Sequence, residues 1–291
     1  MKSKNVEFVI SPGPAHMVGD GFRVHNFIPA HPSLSMHRMS PFIMLDYNAK
    51  MYVAPSNKPK GVGVHPHRGF ETVTIAYKGK VAHHDSSGGG GIIGEGDVQW
   101  MTAASGVLHK EYFEEEFSKK GGEFQMVQLW VNLPAKYKMS PPKYQAILNE
   151  NMGRVDLENN AGRLEIIAGE YLNAKGPAST FTPIYLITAY LNENGVHNFK
   201  LPENYNTGLV VLEGEIEVEG KKASANQFVL MSKEGENFEV KASKESKVLI
   251  LSGEPINEPI AAHGPFVMNT REELIQAFMD FNEGKFGYLE D

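Results

Sequence analysis

The sequence predicts an all-β protein built from two similar modules, with one short helix near its C-terminus. Three observations carry that expectation. Short runs of alternating, β-branched or aromatic residues recur along the chain and are broken by Gly-containing turns. A strand–glycine–strand corner occurs twice, as Tyr77-Lys78-Gly79-Lys80-Val81 and as Leu212-Glu213-Gly214-Glu215-Ile216. A polar stretch over residues 148–162 divides the 291-residue chain into expected domains of residues 1–150 and 151–291. Each is close to the roughly 150 residues of an ordinary domain.

Residues 70–77 alternate and stop at Lys78-Gly79, so they read as a strand. Residues 98–101 follow the turn Gly94-Glu95-Gly96-Asp97, and residues 124–131 give a further strand. Beyond the polar stretch the pattern resumes at residues 164–167, 184–190, 209–212 and 228–231. Four-residue-spaced apolar positions then return. Thr270-Arg271-Glu272-Glu273 fits a capping box, Leu274, Phe278 and Phe281 form a stripe with Ile275 and Met279 beside it, and Gly284 is placed to end the helix. The stripe is expected to face the core.

Composition narrows the function. No apolar run approaches the roughly 20 residues of a membrane helix. The first residues, Met1-Lys2-Ser3-Lys4-Asn5-Val6-Glu7, hold no secretory h-region, so a cytoplasmic location is the expectation. With no cysteine, disulfides, Cys-ligated zinc, iron–sulfur clusters and thiol nucleophiles are excluded. A net charge of −7 argues against a general nucleic-acid binder. Histidine is the remaining lead, because nine of the 11 lie between His16 and His109.

Two short patterns stand out there: His65-Pro66-His67 and His109-Lys110-Glu111. Residues i and i+2 of a strand share a face roughly 7 Å apart, so two neighbouring strands can aim three imidazoles and a carboxylate at one ion. Chance alone gives about 0.4 His-x-His and about 1.3 His-x-acid pairs at this composition, so neither pattern decides the matter by itself. Both border predicted strands, with a Gly-cornered hairpin between them.

Here the residues become specific. Residues 61–73, Gly-Val-Gly-Val-His-Pro-His-Arg-Gly-Phe-Glu-Thr-Val, resemble the first metal motif of the pirin family in the cupin superfamily. Gly96-Asp97-Val98-Gln99-Trp100-Met101-Thr102-Ala103 through Gly106-Val107-Leu108-His109-Lys110-Glu111 resemble its second. Leu129-Trp130-Val131-Asn132-Leu133-Pro134, with Lys138-Met139 and Tyr144-Gln145, is similar to a further pirin signature. Gly264-Pro265-Phe266-Val267-Met268-Asn269-Thr270 resembles the family's C-terminal segment. The resemblance implies a bicupin: two antiparallel jelly-roll β-barrels, of which only the N-terminal one binds metal. It places the metal ligands at His65, His67, His109 and Glu111. Glu71 stands where many cupins put a carboxylate ligand, and is expected here to be structural or to support the site. An ungapped alignment of Gly79 with Gly214 sets Lys200 and Pro202 opposite His65 and His67, and neither can replace an imidazole.

The resemblance also implies an activity, that of a quercetin 2,3-dioxygenase, which opens a flavonol with O2 and releases carbon monoxide. Glu111 would then be a ligand that also shuttles the substrate proton. Fe(II) is favoured, while mixed N/O donors equally suit Mn, Co, Ni, Cu or Zn. A second reading follows from other pirins, which resemble metal- or redox-dependent regulators that bind a transcription factor or a metabolic enzyme. A monomer is compatible with either.

Other signals carry less. In His83-His84-Asp85, adjacent side chains face opposite ways, so at most one histidine enters a barrel. Residues 88–91, four glycines, are expected to form a mobile hairpin loop, and Glu114-Glu115-Glu116 a solvated charge cluster. Trp100 and Trp130 are expected in the core or a cavity wall.

Overall fold

Alternation lays a chain out as antiparallel strands, because residues two apart share a face and one face must leave water. The computed structural model describes residues 2–291. The first elements are β1 (Val6–Ile10), β2 (His16–Val18), β3 (Phe22–Ile28), the short helix α1 (Met36–Met39) and β4 (Phe42–Val53). The motif-bearing region forms β5 (Gly61–His67), β6 (Phe70–Lys78), β7 (Val81–Asp85), β8 (Gly90–Ile93), β9 (Val98–Thr102) and β10 (Val107–Phe113). Helix α2 (Glu115–Lys120), β11 (Gly122–Asn132) and β12 (Lys143–Ile147) follow. The later half contributes β13 (Gly153–Leu157), β14 (Gly162–Ala168), β15 (Glu170–Tyr171), β16 (Ala174–Lys175), β17 (Ile184–Leu191) and β18 (Val196–Lys200). It continues through β19 (Asn206–Glu213), β20 (Glu215–Val218), β21 (Lys221–Ser224), β22 (Phe228–Met231), β23 (Asn237–Ala242) and β24 (Ser246–Gly253). The chain closes with β25 (Ala261–His263), β26 (Phe266–Met268) and helix α3 (Arg271–Asn282).

These elements form two compact units, each with a seven-stranded, a four-stranded and a two-stranded sheet, the last being β25-β26 in the first unit and β15-β16 in the second. The first has the orders β12-β9-β6-β11-β4-β3-β2 and β5-β10-β7-β8. The second has β1-β22-β19-β24-β17-β14-β13 and β18-β23-β20-β21, so the expected all-β duplication is present. Apolar side chains from the two larger sheets meet inside each unit. Phe22, Val24, Ala76, Val81, Phe113 and Phe124 form a cluster in the first, and Leu164, Ile187, Phe199, Ile216, Val229 and Val240 belong to the core of the second. The two glycine corners occupy matching places. Gly79 turns β6 into β7 at φ 79° and Gly214 turns β19 into β20 at φ 84°, a left-handed conformation that glycine adopts without strain.

Where the sequence suggests a cut near residue 150, the ends of the chain cross it. The first unit comprises residues 14–37, 41–149 and 256–291, and the second holds the described residues up to Gly13 with residues 38–40 and 150–255. The cause is pairing and burial. β1 adds to β22, with Ile10 opposite Phe228, and Phe266, Ala277 and Phe286 are buried together with Leu108 packed against them. Nor is the polar stretch a bare linker. It contains β13, whose alternate residues face water along the edge of its sheet.

Helix α3 starts at its predicted capping box, with Thr270 accepting from Glu273 N, and Gly284 lies just beyond its end at φ 75°. Its inward face is centred on Ala277, flanked by Leu274 and Phe278. Ile275 and Met279 are about half exposed and Phe281 is at the rim, so the apolar stripe is only partly a core face.

Candidate metal centre

β5 and β10 run antiparallel with His65 opposite His109 and His67 opposite Val107. A bulge between His109 and Glu111 then sets Glu111 opposite Val62. On the other edge of β10, His109 faces Asp85 and Glu111 faces His83. The i, i+2 spacing of both motifs therefore turns all four predicted side chains to the inner face.

The rings of His65, His67 and His109 lie 4.2 to 4.9 Å apart between centroids. Two groups of donor atoms, each within 4.8 Å of one another, emerge: His65 with His67 and His109, and His83 with His109 and Glu111. Glu111 also lines the same cavity as His65 and His67. His67, His109 and Glu111 are buried, and His65 is half-buried.

Hydrogen bonding sets the tautomers of two of these imidazoles. His65 Nδ1 meets Gly63 O at 2.8 Å and His67 Nδ1 meets Pro265 O at 3.4 Å. A carbonyl only accepts, so each Nδ1 carries the proton and each Nε2 keeps its lone pair. His109 Nε2 is buried without a hydrogen-bond partner. Burial, reinforced by the neighbouring imidazoles, holds His67 and His109 well below the ordinary imidazole range and keeps them neutral, as ligation requires. An orphaned buried nitrogen beside neutral imidazoles and a carboxylate fits a divalent first-row metal.

The cavity has a volume of about 180 Å³. Phe22, Val24, Met44, Val62, Met126 and Trp130 supply apolar wall, while Asp46 and Gln128 are polar. Glu111 Oε1 is engaged by Thr74 Oγ1 and Gln99 Nε2, both at 3.0 Å, whereas Oε2 has a 3.4 Å contact from Gln128 Nε2. Asp46 takes the Asn26 amide at 2.6 Å, and burial pushes its carboxyl upward. Glu71 lies outside both donor groups. It accepts a 2.7 Å bond from Thr102 Oγ1 and is pushed up to about 7 by burial.

Some weaker signals resolve differently from the expectation. His83 faces inward and His84 outward, as alternation requires, yet His83 joins a donor cluster of its own. Gly90 and Gly91 form strand in β8 rather than loop. Glu114 is the buried N-cap of α2, accepting from Glu116 N and Phe117 N at 2.9 Å, because those amides lack partners within the helix. Trp100 is buried and Trp130 lines the cavity, as expected. Sequence reasoning missed Thr74 and Gln99 around Glu111; for His83, alternation allows one of the adjacent pair His83-His84 inside without placing it beside His109. Among the described residues of the second unit no donor group of this kind occurs, and Lys200, at the end of the strand matching β5, is exposed.

Comparison with known proteins gives a consistent picture. The family model described as Pirin matches residues 21–131, and the one described as Pirin C-terminal cupin domain matches residues 186–287. A Pseudomonas aeruginosa protein named "Putative quercetin 2,3-dioxygenase PA2418" is 47% identical over 93% of this chain and 94% of its own. A tomato (Solanum lycopersicum) pirin-like protein is 36% identical over 93% of this chain and 89% of its own. The crystal structure of a quercetin 2,3-dioxygenase from Acinetobacter baumannii superposes with a TM-score of 0.94 at 46% identity, covering 99% of this chain and all of the other. No helix among the described residues is long and apolar enough to cross a membrane.

Proposed function

The chain belongs to the pirin family of two-domain cupins, and on that premise we propose that its first unit is a metal-dependent dioxygenase acting on a flavonol such as quercetin. The observation that carries this reading is the largely apolar cavity into which His65, His67 and Glu111 project. Relatives named as quercetin 2,3-dioxygenases support the same substrate class.

In this reading His65, His67, His109 and Glu111 hold one divalent ion, with Fe(II) the physiological choice. When bound, the ion supplies the Lewis acidity that favours the deprotonated flavonol. Glu111 takes the 3-hydroxyl proton at Oε2, since Oε1 is already held by Thr74 and Gln99. The apolar wall keeps bulk water from the reacting edge. A cavity of about 180 Å³ lies below the roughly 300–1,000 Å³ typical of sites that enclose a drug-sized ligand, so the flavonol enters hydroxy-ketone edge first. Asp46 is positioned to accept a hydrogen bond from a further ring hydroxyl. Both atoms of O2 enter the ring-opened product and one ring carbon leaves as carbon monoxide. A cytoplasmic setting belongs to the same reading.

The test is repeated turnover of quercetin by anaerobically Fe(II)-loaded protein, with bleaching and carbon monoxide followed together. The His65→Ala/His67→Ala protein is expected to bind no metal and to be inactive. Full Fe(II) loading without turnover would overturn the assignment in favour of a metal-dependent partner-binding protein.

A further inference from the structure

We propose that His83, braced by Asp85, is a positioning residue that fixes the tautomer of His109 and so presents its Nε2 as a metal ligand. The inference rests on the metal-binding part of the function above and does not depend on the flavonol.

The argument runs outward from Asp85. Its Oδ1 is held by Ser87 N at 2.8 Å, Ser87 Oγ at 2.6 Å and Gly89 N at 3.0 Å, so the carboxylate is a fixed acceptor. Its Oδ2 lies 3.4 Å from His83 Nε2. An imidazole beside a fixed carboxylate keeps its proton on the facing nitrogen, which leaves His83 Nδ1 as an acceptor. Two donors converge on that nitrogen. Gln99 Nε2 approaches to 2.9 Å, and His109 Nδ1 lies at 3.4 Å. With its Nδ1 proton directed at His83, His109 carries no proton on Nε2, the buried atom without a partner. Gln99 Nε2 also donates to Glu111 Oε1 at 3.0 Å, so the same row orients a second donor.

Nothing in this row is loose. His83 has no exposed surface, and its ring stacks on Tyr144 at 5.2 Å with the planes 16° apart. Register explains the placement: β7 lies between β8 and β10, where His83 opposes Glu111 and Asp85 opposes His109. Partners of this kind, which hold a ligating histidine by its other nitrogen, are typically worth about 10–100-fold in metal affinity. The rival geometry is the donor group of His83, His109 and Glu111, in which His83 would bind the ion itself.

Three measurements on the full chain separate these cases. Long-range imidazole nitrogen NMR of the metal-free protein should find His109 protonated on Nδ1; a proton on Nε2 would overturn the proposal. Ni(II) affinity, from competition with a chromophoric chelator, should fall about 10–100-fold in His83→Leu and largely recover in His83→Asn, whose amide oxygen can accept the same proton. The exposed His84→Ala serves as control. If His83→Leu does not fold, Asp85→Asn replaces it, with a smaller loss in the same direction expected. Unchanged affinity in the folded variant would overturn the proposal. Pulsed EPR of the Cu(II)-loaded protein should count the same number of coordinated imidazoles with and without His83; loss of one would make His83 a ligand instead. Failure of the wild-type protein to bind any metal would sink the functional reading, whereas binding that ignores His83 sinks only this one.

Discussion

Glu71 shows how a single buried group sets a pH dependence. Its carboxyl is raised from 4.5 to about 7, chiefly by burial. Between those values the folded state holds the proton more tightly than the unfolded chain, so this contribution erodes stability as pH rises and is fully unfavourable above about 7. Glu71→Gln should therefore be more stable than the wild type at about pH 8, by on the order of 2–3 kcal/mol, with most of the gain gone by about pH 5. A denaturant-derived difference that does not change with pH would contradict this. Asp46 offers a test of substrate placement. Asp46→Asn should raise KM for polyhydroxylated flavonols about tenfold, the worth of one charge-assisted hydrogen bond, and leave KM for 3-hydroxyflavone unchanged. Equal effects on both substrates would remove Asp46 from the binding role. The residues most legible in the sequence were those whose geometry is written in spacing, such as His65 with His67 and His109 with Glu111. Thr74 and Gln99 had no such mark, because their role depends on which strands become neighbours. For His83, adjacency to His84 predicts that only one faces inward without saying that it meets His109.

At the scale of elements, the C-terminal hairpin and α3 brace the turn after the first motif. Arg68 Nε donates to Ser105 O at 2.7 Å and Arg68 Nη1 to Asp280 Oδ2 at 2.7 Å. Lys138 Nζ donates to Gly69 O at 2.8 Å, to Asn132 Oδ1 at 2.6 Å and to Val267 O at 2.9 Å. Gly69, at φ 90°, permits this approach, since a Cβ there would come within 1.9 Å of Val267 O. Arg68→Ala removes one of three partners of Asp280, which keeps Lys285 and Gln276, and should cost about 1.5–3 kcal/mol in denaturant unfolding. A loss below about 1 kcal/mol would mean that the pair behaves as a surface contact. Asp280 is itself held well below the usual carboxylate range by Lys285, Arg68 and Gln276, so this brace should survive mild acid and fail only as pH falls through that depressed value. Strands with dense apolar alternation, such as β6, β11 and β22, were readable in advance. β13 and β8 were not, because an edge strand needs only one apolar face and backbone pairing can draft glycine.

For the molecule as a whole, two units share a sheet plan while, among the described residues, the clustered histidine and carboxylate donors occur in one of them. Metal should therefore stabilise the chain unevenly, since a ligand protects the part of the fold that binds it. Hydrogen exchange with and without Ni(II) should slow in β5, β7 and β10 and be unchanged in β18, β20 and β23. Equal protection in both sets would place metal in the second unit as well. The duplication was legible in the glycine corners. The crossing of the chain ends was not, because short hairpins and a capped helix do not announce which core they will cover.

That crossing has a consequence for the order of events in the cell. A ribosome delivers the two histidine motifs before the second unit is made, yet the segment that supplies Pro265 to His67, Val267 to Lys138 and Asp280 to Arg68 emerges only after that entire unit. Of the two units, the one that carries the histidines is thus completed later, and those histidines reach their final setting only after residues 150–255 have been made.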